Sequence, residues 1–470
     1  MTPPADDSTS AGLPRRDFLR IAGLGAGAVL AAPHAAAGQA PAAVRSRASS
    51  NIIVVGAGIW GATTALNLAR GGAKVTLIDA YGPGNSRATS GDETRGIRST
   101  YGDRSTSAEL WVRWARESIT RWAAFDAEHG KRFGTRFFMT TGDVLMRERE
   151  EPFVTRSAAL WDGLKVKYER VSPEEARKRW PQINTEPYPV ILYEPDAGVA
   201  RSRAATQATA ALARDAGVEL RIARVTPGAL NSERMDGVRL DDGTVLQADA
   251  YVFACGPWLP KVFPQELGDR ARTPLGHVCY FGTPVADERF TVPNIPSWNV
   301  PGVTGWGALP VDSRGFRVRG AFAPPRPPRA DDEDEPPPPP RQSAPDPRLQ
   351  DPDLSIRWSS QDRIDGSRRV LEKVFPTLAE APILETRSCH YESSINRNFI
   401  VDRLPGASNA WVVGLGQAEG FKFAPLVAEF AAKRLLGQQV DAELVEAFKF
   451  PTERYDANNT GRRGDDDDDA

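Results

Sequence analysis

The first chemistry that the sequence suggests is the binding of a dinucleotide. Gly56, Gly58 and Gly61 form a G-x-G-x-x-G pattern directly after an apolar run, and Asp79 follows 21 residues after Gly58. The first glycine of such a pattern allows a tight turn, the second lets the backbone approach a pyrophosphate, and the third lets a helix pack on a strand. The helix N-terminus faces the anion, and the acid accepts a hydrogen bond from a ribose hydroxyl. NAD and FAD both remain possible on these residues alone.

Other stretches place charged or nucleophilic side chains in unusual settings. The polar, glycine-rich residues 79–103 include Arg95 and Arg98, and Lys422 stands between two phenylalanines near a glycine-rich loop. That setting is not typical of a solvated face, although a surface lysine with a packed stem is the alternative. Cys389, one of three cysteines in 470 residues, could be inert packing, half of a disulfide, a metal ligand or the anchor of a cofactor.

The elements that would position these residues begin with a βαβ unit. Residues 52–55 are apolar and β-branched, which is typical of a buried parallel strand, and Trp60 to Arg70 has alanine and leucine at helical spacing. A second strand ends at Asp79. The whole unit spans about thirty residues, the size expected of a strand, a crossover helix and a second strand.

Further elements are predicted along the rest of the chain. Helices are predicted for residues 107–130, 203–217 and 424–437 from their apolar periodicity. Two short strands that run into a glycine turn are predicted within 244–258, and a set of strands within 275–322. The chain therefore combines a βαβ-type region with a second region that is rich in strands.

The chain resembles the amine-oxidising flavoproteins of the D-amino-acid oxidase superfamily, and within it the group of monomeric sarcosine oxidase and N-methyltryptophan oxidase. The resemblance covers residues 51–450 apart from a proline-rich segment. It rests on the acid-ending second strand, the Gly/Ser-rich loop after it, the element Thr94-Arg95-Gly96-Ile97-Arg98 and the "GFKF" around Lys422. It implies a mixed α/β (α+β) fold, with a discontinuous Rossmann-like FAD-binding domain and a mostly antiparallel-sheet substrate domain. Between the two cofactors it favours FAD.

The resemblance also implies roles for the charged residues. In the group, the counterparts of Arg98 and Lys422 hold the substrate carboxylate, and the counterpart of Arg95 lies near the flavin ring. An arginine can bind a carboxylate through two parallel hydrogen bonds, and a lysine acts as a point charge beside it. Many members carry a histidine just before this element, whereas here residues 90–93 read Ser-Gly-Asp-Glu.

The same resemblance gives Cys389 a specific role. Cys389 and Tyr391, followed by "FIVD" at 399–402, match a stretch in which the family's cysteine bonds covalently to the 8α-methyl group of FAD. Tyr391 would then lie near the flavin or the substrate, and a buried free thiol is the alternative for the cysteine. The other cofactor-binding residues that the resemblance implies are Gly56, Gly58, Gly61, Asp79, Ser86, Thr89, Ser90, Gly256, Gly416 and Gly420.

One departure from the group concerns the reaction with oxygen. Its oxidases carry a lysine on a substrate-domain strand above the flavin, and this chain has Arg317 at the matching position. Arginine keeps the positive charge that stabilises superoxide, but it is bulkier and holds its proton more firmly. Trp306 also stands where the group has another aromatic residue facing the substrate, which favours a larger or more apolar amino acid than sarcosine.

The predicted reaction is oxidation of the C–N bond of a primary or secondary amino acid that has a free carboxylate, with electrons passed to O2 to give peroxide. A dehydrogenase of the same fold, using a quinone or protein acceptor, is the closest alternative. A secreted flavin-binding protein without catalysis is an alternative from another class. The residues expected to carry the catalysis are Arg95, Arg98, Arg317, Tyr391 and Lys422.

The composition does not favour several other classes of protein. The chain is 40% hydrophobic and 26% charged with a formal net charge of -2, so nothing indicates nucleic acid or a membrane surface as partner. The four histidines and three cysteines are scattered, with no CxxC, HxxxH or HExxH spacing, so no metal site is predicted. The three cysteines cannot all pair, and their spacing suggests no disulfide framework.

The N-terminus predicts an export signal. Arg15 and Arg16 precede a Gly/Ala-rich apolar run that ends at Ala35-Ala36-Ala37, which indicates a twin-arginine signal over residues 1–40 and a periplasmic or extracellular location. An ordinary secretory signal or a poorly ordered tail is the alternative. The twin-arginine machinery carries folded proteins, which suits a protein that loads a cofactor in the cytoplasm. No other stretch approaches the ~18 apolar residues of a membrane span.

Two interleaved domains and two low-complexity segments are predicted. The proline- and acid-rich residues 323–352 are expected to be a mobile surface insertion, and the acidic residues 456–470 a disordered tail. The predicted domains are an FAD-binding domain of residues 51–134, 195–266 and 389–455, and a substrate domain of residues 135–194 and 267–388.

Overall fold

The chain is described by a computed structural model that covers residues 50–104, 107–324 and 351–455. The predicted export signal and the predicted acidic tail lie outside the described residues. The predicted insertion also lies outside them, apart from its two ends.

A six-stranded sheet carries the glycine motif. Its strands are, in spatial order, Ile400–Arg403, Ala410–Gly414, Ala250–Phe253, Asn51–Val55, Lys74–Asp79 and Glu219–Ile222. All neighbouring pairs are parallel except the first, which is antiparallel. The strands come from three separated stretches of the chain, as expected of a discontinuous domain, while the predicted domain boundaries stay a prediction.

The central strand of this sheet is buried on both faces, which is typical of parallel sheets. Ile52 and Val54 face one apolar cluster, and Ile53 and Val55 face another, because successive side chains alternate across a strand. Among the described elements, five helices contribute buried residues to the first cluster: Ile59–Arg70, Ala108–Phe133, Pro152–Gly163, Ser202–Asp215 and Gly420–Leu435.

An eight-stranded sheet forms the second region, and it is antiparallel at all but one of its junctions. Its strands are, in spatial order, Ile383–His390, Leu275–Phe281, Phe316–Arg319, Val303–Trp306, Ser297–Val300, Asp143–Arg147, Val190–Glu194 and Glu169–Arg170. The exception is the parallel pair formed by Ser297–Val300 and Asp143–Arg147. The predicted combination of a βαβ-type sheet with a mostly antiparallel sheet is confirmed.

One face of the eight-stranded sheet packs on a helix, and the other is left for a cavity. Phe316 and Val318 pack in the same apolar cluster as Val370 and Leu371 of the helix Gln361–Val374. Because side chains alternate along a strand, the residues between and beyond them point to the opposite face. That opposite face carries Arg317 and Arg319, which line the second cavity described below.

The remaining elements are smaller sheets and helices. The strand Arg95–Ile97 belongs to a three-stranded antiparallel sheet with Gly198–Ala200 and Phe138–Thr140. The other short strands are Val225–Pro227, Val238–Leu240 and Val245–Leu246 in one sheet, Leu230–Asn231 with Arg234–Met235, and Ala271–Arg272 with Ser393–Ser394. The other α-helices are Ala108–Phe133, Pro152–Gly163, Pro173–Arg179, Leu259–Val262, Pro264–Leu267, Gln361–Val374 and Ala442–Ala447.

The last long helix begins earlier than predicted. It runs from Gly420 to Leu435 instead of from residue 424, so Lys422 lies in its first turn and not in the loop before it. Glycine has a low helix propensity, which is why the sequence pattern places the start later. The position needs glycine, because an added Cβ at Gly420 would lie 2.8 Å from the Trp60 ring. Over the described residues, no helix combines the length and the apolar composition needed to cross a bilayer.

Candidate active site

A cleft opens at the carboxyl ends of the parallel strands, where ligands bind in open sheets of this kind. Its empty space is about 1150 Å³. It is lined by the glycine turn after Asn51–Val55, by the end of Lys74–Asp79 and by the loops that follow three further strands of the sheet.

The glycine turn requires glycine at its first and third positions. Gly56 has φ +101°, and an added Cβ would lie 2.3 Å from the carbonyl oxygen of Ala254. An added Cβ on Gly61 would lie 1.8 Å from the carbonyl oxygen of Gly56, so this glycine lets the helix pack on the strand. Gly58 lines the cleft at the N-terminus of that helix. Ser90 Oγ accepts a hydrogen bond of 3.1 Å from the backbone N–H of Ile59, which satisfies one of the free donors there.

Asp79 lies at the edge of the cleft with its carboxylate held by the backbone. It accepts hydrogen bonds from the N–H groups of Ala57, at 2.7 Å, and of Tyr81 and Gly82, each at 2.8 Å. Burial raises the pKa of Asp79, although these three donors lower it. A carboxylate offers about four acceptor positions, so one stays available for a ribose hydroxyl.

Most of the predicted cofactor-binding residues line the cleft, and three do not: Gly61, Ser86 and Cys389, the last of which lines the second cavity described below. Those that do are Gly56, Gly58, Asp79, Thr89, Ser90, Gly256, Gly416 and Gly420. Gly61 is absent from the lining because it mediates packing. Ser86 is also absent; its carbonyl oxygen accepts a hydrogen bond of 2.8 Å from Arg387 Nη2, so this residue ties the loop to the other sheet.

Several lining residues were not predicted from the sequence. Tyr81, Arg224 and Trp258 line the cleft at loops that follow strands of the parallel sheet, and Glu392 lines it beside Gly416. The position of the first three directly after predicted strands is a signal that could have found them, because ligands bind at the carboxyl ends of such strands. Glu392 accepts a hydrogen bond of 3.2 Å from the N–H of Gly416, and burial raises the pKa of this carboxyl.

A second cavity of about 700 Å³ adjoins the cleft and contains the predicted catalytic residues. Thr89, Arg95 and Tyr391 line both spaces. The wall formed by the eight-stranded sheet carries Gly276, Val278, Thr304, Trp306, Arg317, Arg319 and Cys389, and the opposite side carries Arg98, Glu419 and Lys422. The structure therefore brings all five predicted catalytic residues to one cavity.

Arg98 and Lys422 lie side by side with different partners. Lys422 Nζ donates to the hydroxyl of Tyr101 at 2.6 Å, to the backbone oxygen of Arg98 at 3.3 Å and to Glu419 Oε2 at 3.3 Å. Among the described residues the guanidinium of Arg98 makes no hydrogen bond and no ion pair, although it lines the cavity. Arg98 is therefore a cation that can bind an anion in the cavity.

The pKa values of Lys422 and of its carboxylate partner Glu419 are both lowered, for different reasons. Burial lowers the pKa of Lys422 to about 8; Glu419 opposes this change, and the positive charge of Arg98 adds to it. Burial of Glu419 disfavours its charge, but Lys422, Arg104 and Arg98 outweigh that effect and lower its pKa to about 2. At neutral pH Glu419 is ionised, and Lys422 is close to the pH at which it loses its proton.

Three further arginines surround the carboxylate of Asp92. Its buried carboxylate lies 2.5 Å from Arg95 Nη1, 3.4 Å from Arg317 Nη2 and 3.7 Å from Arg387 Nη1, and it accepts a hydrogen bond of 2.7 Å from the Tyr280 hydroxyl. Burial opposes ionisation of Asp92, but the three guanidinium groups outweigh it and hold the pKa of this carboxyl well below its usual range. The sequence showed Asp92 only as a replacement for a histidine.

Arg317 is fixed by its neighbours. Its guanidinium carbon lies 4.1 Å from the ring centre of Trp306, whose indole N–H donates to Thr94 Oγ1 at 2.8 Å. Nε and Nη1 of Arg317 are buried and have no hydrogen-bond partner in the described part of the chain. A buried guanidinium with free donors is costly unless a ligand or water binds it.

Cys389 and Tyr391 lie where the two cavities meet. The thiol of Cys389 is almost buried, it is not part of a disulfide, and its Sγ lies 4.0 Å from Arg95 Nη2. Gly276, opposite Cys389 in the sheet, leaves room for Tyr391, whose ring carbons would lie 3.4 Å from an added Cβ. His390 is buried with both ring nitrogens hydrogen-bonded, to the Thr273 carbonyl oxygen and to Ser355 Oγ, so it serves packing.

The other cysteines are also free thiols, Cys255 partly exposed and Cys279 buried. Within residues 50–104, 107–324 and 351–455, no three side chains of histidine, cysteine, aspartate or glutamate lie close enough together to hold a metal ion.

Comparisons with known proteins agree on one family. A family model described as "DAO: FAD dependent oxidoreductase" matches residues 51–434. N-methyl-L-tryptophan oxidase of Salmonella dublin is 25% identical to this chain over 397 residues, which is 84% of this chain and 96% of that protein. Two crystal structures show the same fold. Glycine oxidase from Geobacillus kaustophilus has 18% identity and a TM-score of 0.66, over 86% of this chain and 99% of its own. L-proline dehydrogenase from P. horikoshii has 20% identity and a TM-score of 0.65, over 83% and 94%.

The residues of the cleft fit FAD. The turn at Gly56 and Gly58 presents bare backbone at a helix N-terminus, which suits a pyrophosphate, and Asp79 keeps one acceptor position for a ribose. The cleft joins the second cavity at Thr89, Arg95 and Tyr391, so the redox-active end of a long cofactor can reach the Arg98 side. The chain belongs to the DAO family of FAD-dependent oxidoreductases, enzymes that act on the C–N bonds of amino acids and amines.

Proposed function

We propose that this enzyme oxidises the C–N bond of a primary or N-alkyl amino acid to the imine, and that the electrons pass to O2 to give H2O2. One observation carries the proposal: the guanidinium of Arg98 lines the second cavity without a hydrogen bond or ion pair among the described residues, although the carboxylates of Asp143 and Glu419 act on its charge. A carboxylate is the anion whose geometry matches a guanidinium through two parallel hydrogen bonds.

Lys422 completes the carboxylate site. The residue is 3% exposed, and its charge acts together with those of Arg98 and Arg104 on one carboxylate, that of Glu419. A bound substrate carboxylate would add the negative charge that favours the protonated form of Lys422. Arg98 and Lys422 together fix the substrate's position, which is catalysis by orientation.

The cationic surroundings also act on the substrate's amine. An ammonium group next to Arg98 and Lys422 is disfavoured, because like charges in a buried site lower the pKa of an amine. Only a neutral amine can assist the departure of hydride from the adjacent carbon. Bound FAD supplies the two-electron acceptor for that hydrogen. The imine product is then hydrolysed by water to an oxo compound and an amine.

An N-alkyl substrate is supported by the relative named N-methyl-L-tryptophan oxidase, which is similar over most of both chains. The second cavity is lined by Gly276, Val278 and Trp306, apolar residues that a substrate side chain could contact, whereas sarcosine has no side chain. Of the two predicted properties, larger or more apolar, this wall supports the larger amino acid, because Arg317 and Arg319 lie in it beside Trp306.

The charge and the position of Arg317 bear on which electron acceptor the enzyme uses. Two guanidinium groups, Arg95 and Arg317, share the single carboxylate of Asp92, so a net positive charge remains where superoxide would form. This supports O2 as acceptor. Arg317 is nevertheless fixed by its stack on Trp306, and a guanidinium does not release its proton, which favours a dehydrogenase with a quinone or protein acceptor as the second candidate.

Two further features belong to this proposal. With FAD bound, Cys389 would hold it through a thioether to the 8α-methyl carbon; this S–C bond would replace one S–H and one C–H bond, and the two electrons released would go to O2. The enzyme is exported by the twin-arginine route after loading FAD, in keeping with Arg15 and Arg16 and the apolar run after them.

The experiment is an anaerobic screen of N-methyl and primary amino acids with the purified holoprotein, followed by the loss of flavin absorbance. We expect bleaching by amino acids and none by the matched amines that lack the carboxylate. Bleaching by the amines alone contradicts the carboxylate site. Mixing the bleached enzyme with O2 in a stopped-flow instrument then separates the acceptors: reoxidation no faster than that of free reduced flavin contradicts the oxidase and favours the dehydrogenase.

A further inference from the structure

A short segment that follows the predicted insertion crosses the edge of the cofactor cleft. This segment, residues 351–358, is named the strap here. Its backbone is fixed by Arg87, whose Nη1 donates to the carbonyl oxygen of Asp353 at 2.6 Å, and by the hydrogen bond between Ser355 Oγ and His390 Nε2 at 2.6 Å. The strap is therefore attached both to the loop after Asp79 and to the strand that carries Cys389.

Three side chains of the cleft lie at the Asp79 end, and none of them was predicted to bind the cofactor. Tyr81, Arg224 and Trp258 all line the cleft. Tyr81 N–H donates to Asp79 Oδ1 at 2.8 Å, and the residue before Arg224 donates its N–H to the Asp79 carbonyl oxygen at 3.0 Å. They therefore surround the carboxylate that accepts from a ribose hydroxyl in this fold.

Asp353 of the strap binds all three of these side chains with one carboxylate. It accepts a hydrogen bond of 2.9 Å from Trp258 Nε1, one of 3.2 Å from Arg224 Nη1 and a short one from the Tyr81 hydroxyl. The Tyr81 hydroxyl in turn accepts a hydrogen bond of 2.8 Å from Arg224 Nη2. Asp353 does not line the cleft itself, so its contact with a bound cofactor is indirect.

The carboxylate is well suited to hold this group. Its side chain is 13% exposed, and Lys261 donates to it from the outer side at 2.7 Å. Partial burial opposes its ionisation, but Lys261, Tyr81, Trp258 and Arg224 outweigh that effect, so the pKa of Asp353 lies well below its usual value. Hydrogen bonds to an ionised group are stronger than those between neutral groups.

The rings and the guanidinium depend on this carboxylate for their positions. The Tyr81 and Trp258 rings lie 6.0 Å apart at a tilt of 43°, and Arg224 lies 5.5 Å from the centre of the Tyr81 ring. Tyr81 is 38% exposed, so packing alone does not fix it. Without the carboxylate, Arg224 loses its counter-ion, Lys261 keeps only Asp351, and the two rings lose the acceptor that holds them at the cleft.

We propose that Asp353 is a positioning residue for the cofactor: it fixes Tyr81, Arg224 and Trp258 around the adenosine end of FAD and thereby slows release of FAD. Asp353 acts on side chains that line the cleft near Asp79, whereas Cys389 lines the second cavity, so the two residues act on different parts of the cofactor. Because the strap fixes these side chains, retention of FAD also depends on residues 351–358, which follow the predicted insertion.

The test measures FAD release in the full chain with Cys389→Ser, in which no thioether can form. Holoprotein is diluted, and the fluorescence of released FAD is followed over time. Loss of a charged acceptor shared by three cleft side chains should make release about tenfold faster or more in Asp353→Asn. Lys261→Met removes a partner of the same carboxylate that does not line the cleft, and we expect less than about a twofold change, since exposed ion pairs contribute little.

Two further variants keep the proposal testable if Asp353→Asn does not fold. Tyr81→Phe keeps the ring and removes only the hydroxyl that bridges Asp353 and Arg224, so FAD release should also become faster. Asp353→Ala combined with Trp258→Phe should accelerate release by less than the product of the two single effects, because the residues act as one group. An unchanged rate of FAD release in Asp353→Asn and Tyr81→Phe overturns the proposal. It is also overturned if the acceleration in the double variant equals the product of the accelerations in the two single variants.

Discussion

Arg95 Nη2 lies 4.0 Å from the sulfur of Cys389, so the thiol that lines the second cavity has beside it a guanidinium that lines both cavities. The same guanidinium is held by Asp92 at 2.5 Å, so its position does not depend on the thiol.

Covalent attachment gives the first prediction. After acid precipitation of the wild-type holoprotein, the yellow colour should remain with the protein, and in Cys389→Ser it should move to the supernatant. Cys279→Ser is the matched control, because Cys279 is buried in the apolar cluster on the other face of the sheet. Colour in the supernatant of the wild-type sample returns Cys389 to a packed thiol and leaves the amine-oxidation proposal intact.

The second prediction concerns Arg98. Arg98→Met removes both hydrogen bonds to a substrate carboxylate, and kcat/KM for the best amino acid of the screen should fall about 100-fold or more. Arg132→Met, at an exposed ion pair with Asp215, should leave kcat/KM unchanged. A loss of similar size in both variants would show that the effect is not specific to the cavity.

Lys422 gives a prediction for pH dependence. Burial lowers its pKa to about 8, below the ordinary 10.5, so the free enzyme loses this positive charge as the pH rises through about 8. Binding of a carboxylate that lacks an amine, followed by the change in flavin absorbance, should therefore be tight below that pH and weaken above it. An inhibitor without an amine is needed, because the substrate's own amine also titrates in this range.

The control for this dependence is Lys422→Met, in which binding should be weaker at neutral pH and nearly independent of pH between 7 and about 9.5. Lys261→Met, which changes a lysine outside both cavities, should keep the wild-type dependence. A wild-type dependence that survives in Lys422→Met assigns the titration to another group.

Much of the fold follows from local patterns. The strand Asn51–Val55, the helix after it and Asp79 at the end of the next strand were predicted because a continuous β-branched run, helical spacing and a glycine turn are all readable within thirty or so residues. Arg95, Arg98 and Lys422 were placed together only through the family resemblance, since the last lies far from the others in sequence. Their meeting in one cavity depends on tertiary structure.

Other parts could not be predicted because their partners are distant in the chain. Asp92 meets Arg317 and Arg387 from two separate strands, and no local pattern marks a carboxylate that three guanidinium groups will share. Asp353 adjoins a proline- and acid-rich stretch, so the sequence favours a solvated charge there. The early start of the last helix at Gly420 is set by its close contact with Trp60, which overrides a low helix propensity.

The fourth prediction separates the two half-reactions at Arg317. Arg317→Met removes a positive charge from the place where superoxide would form, so the rate of reoxidation by O2 should fall about 100-fold. The anaerobic bleaching rate should change much less, because Arg98 and Lys422 hold the substrate. Arg317→Lys keeps the charge and should retain most of the oxygen reaction. Equal oxygen rates in wild type and Arg317→Met would contradict a role for this residue in the acceptance of electrons by O2.

The last prediction separates packing from cofactor binding within the glycine motif, in the Cys389→Ser background. Gly61→Ala would place a Cβ 1.8 Å from the Gly56 oxygen, so the helix must move and the protein without FAD should unfold at a lower temperature. Gly58→Ala meets only Ser90 Oγ at 3.5 Å, an ordinary contact, so the unfolding temperature without FAD should stay close to that of the parent. The methyl group at position 58 nevertheless occupies the place where a pyrophosphate approaches the backbone, and the ratio of FAD to purified protein should fall. A normal FAD content in Gly58→Ala contradicts binding of the pyrophosphate at this turn, whatever happens at Gly61.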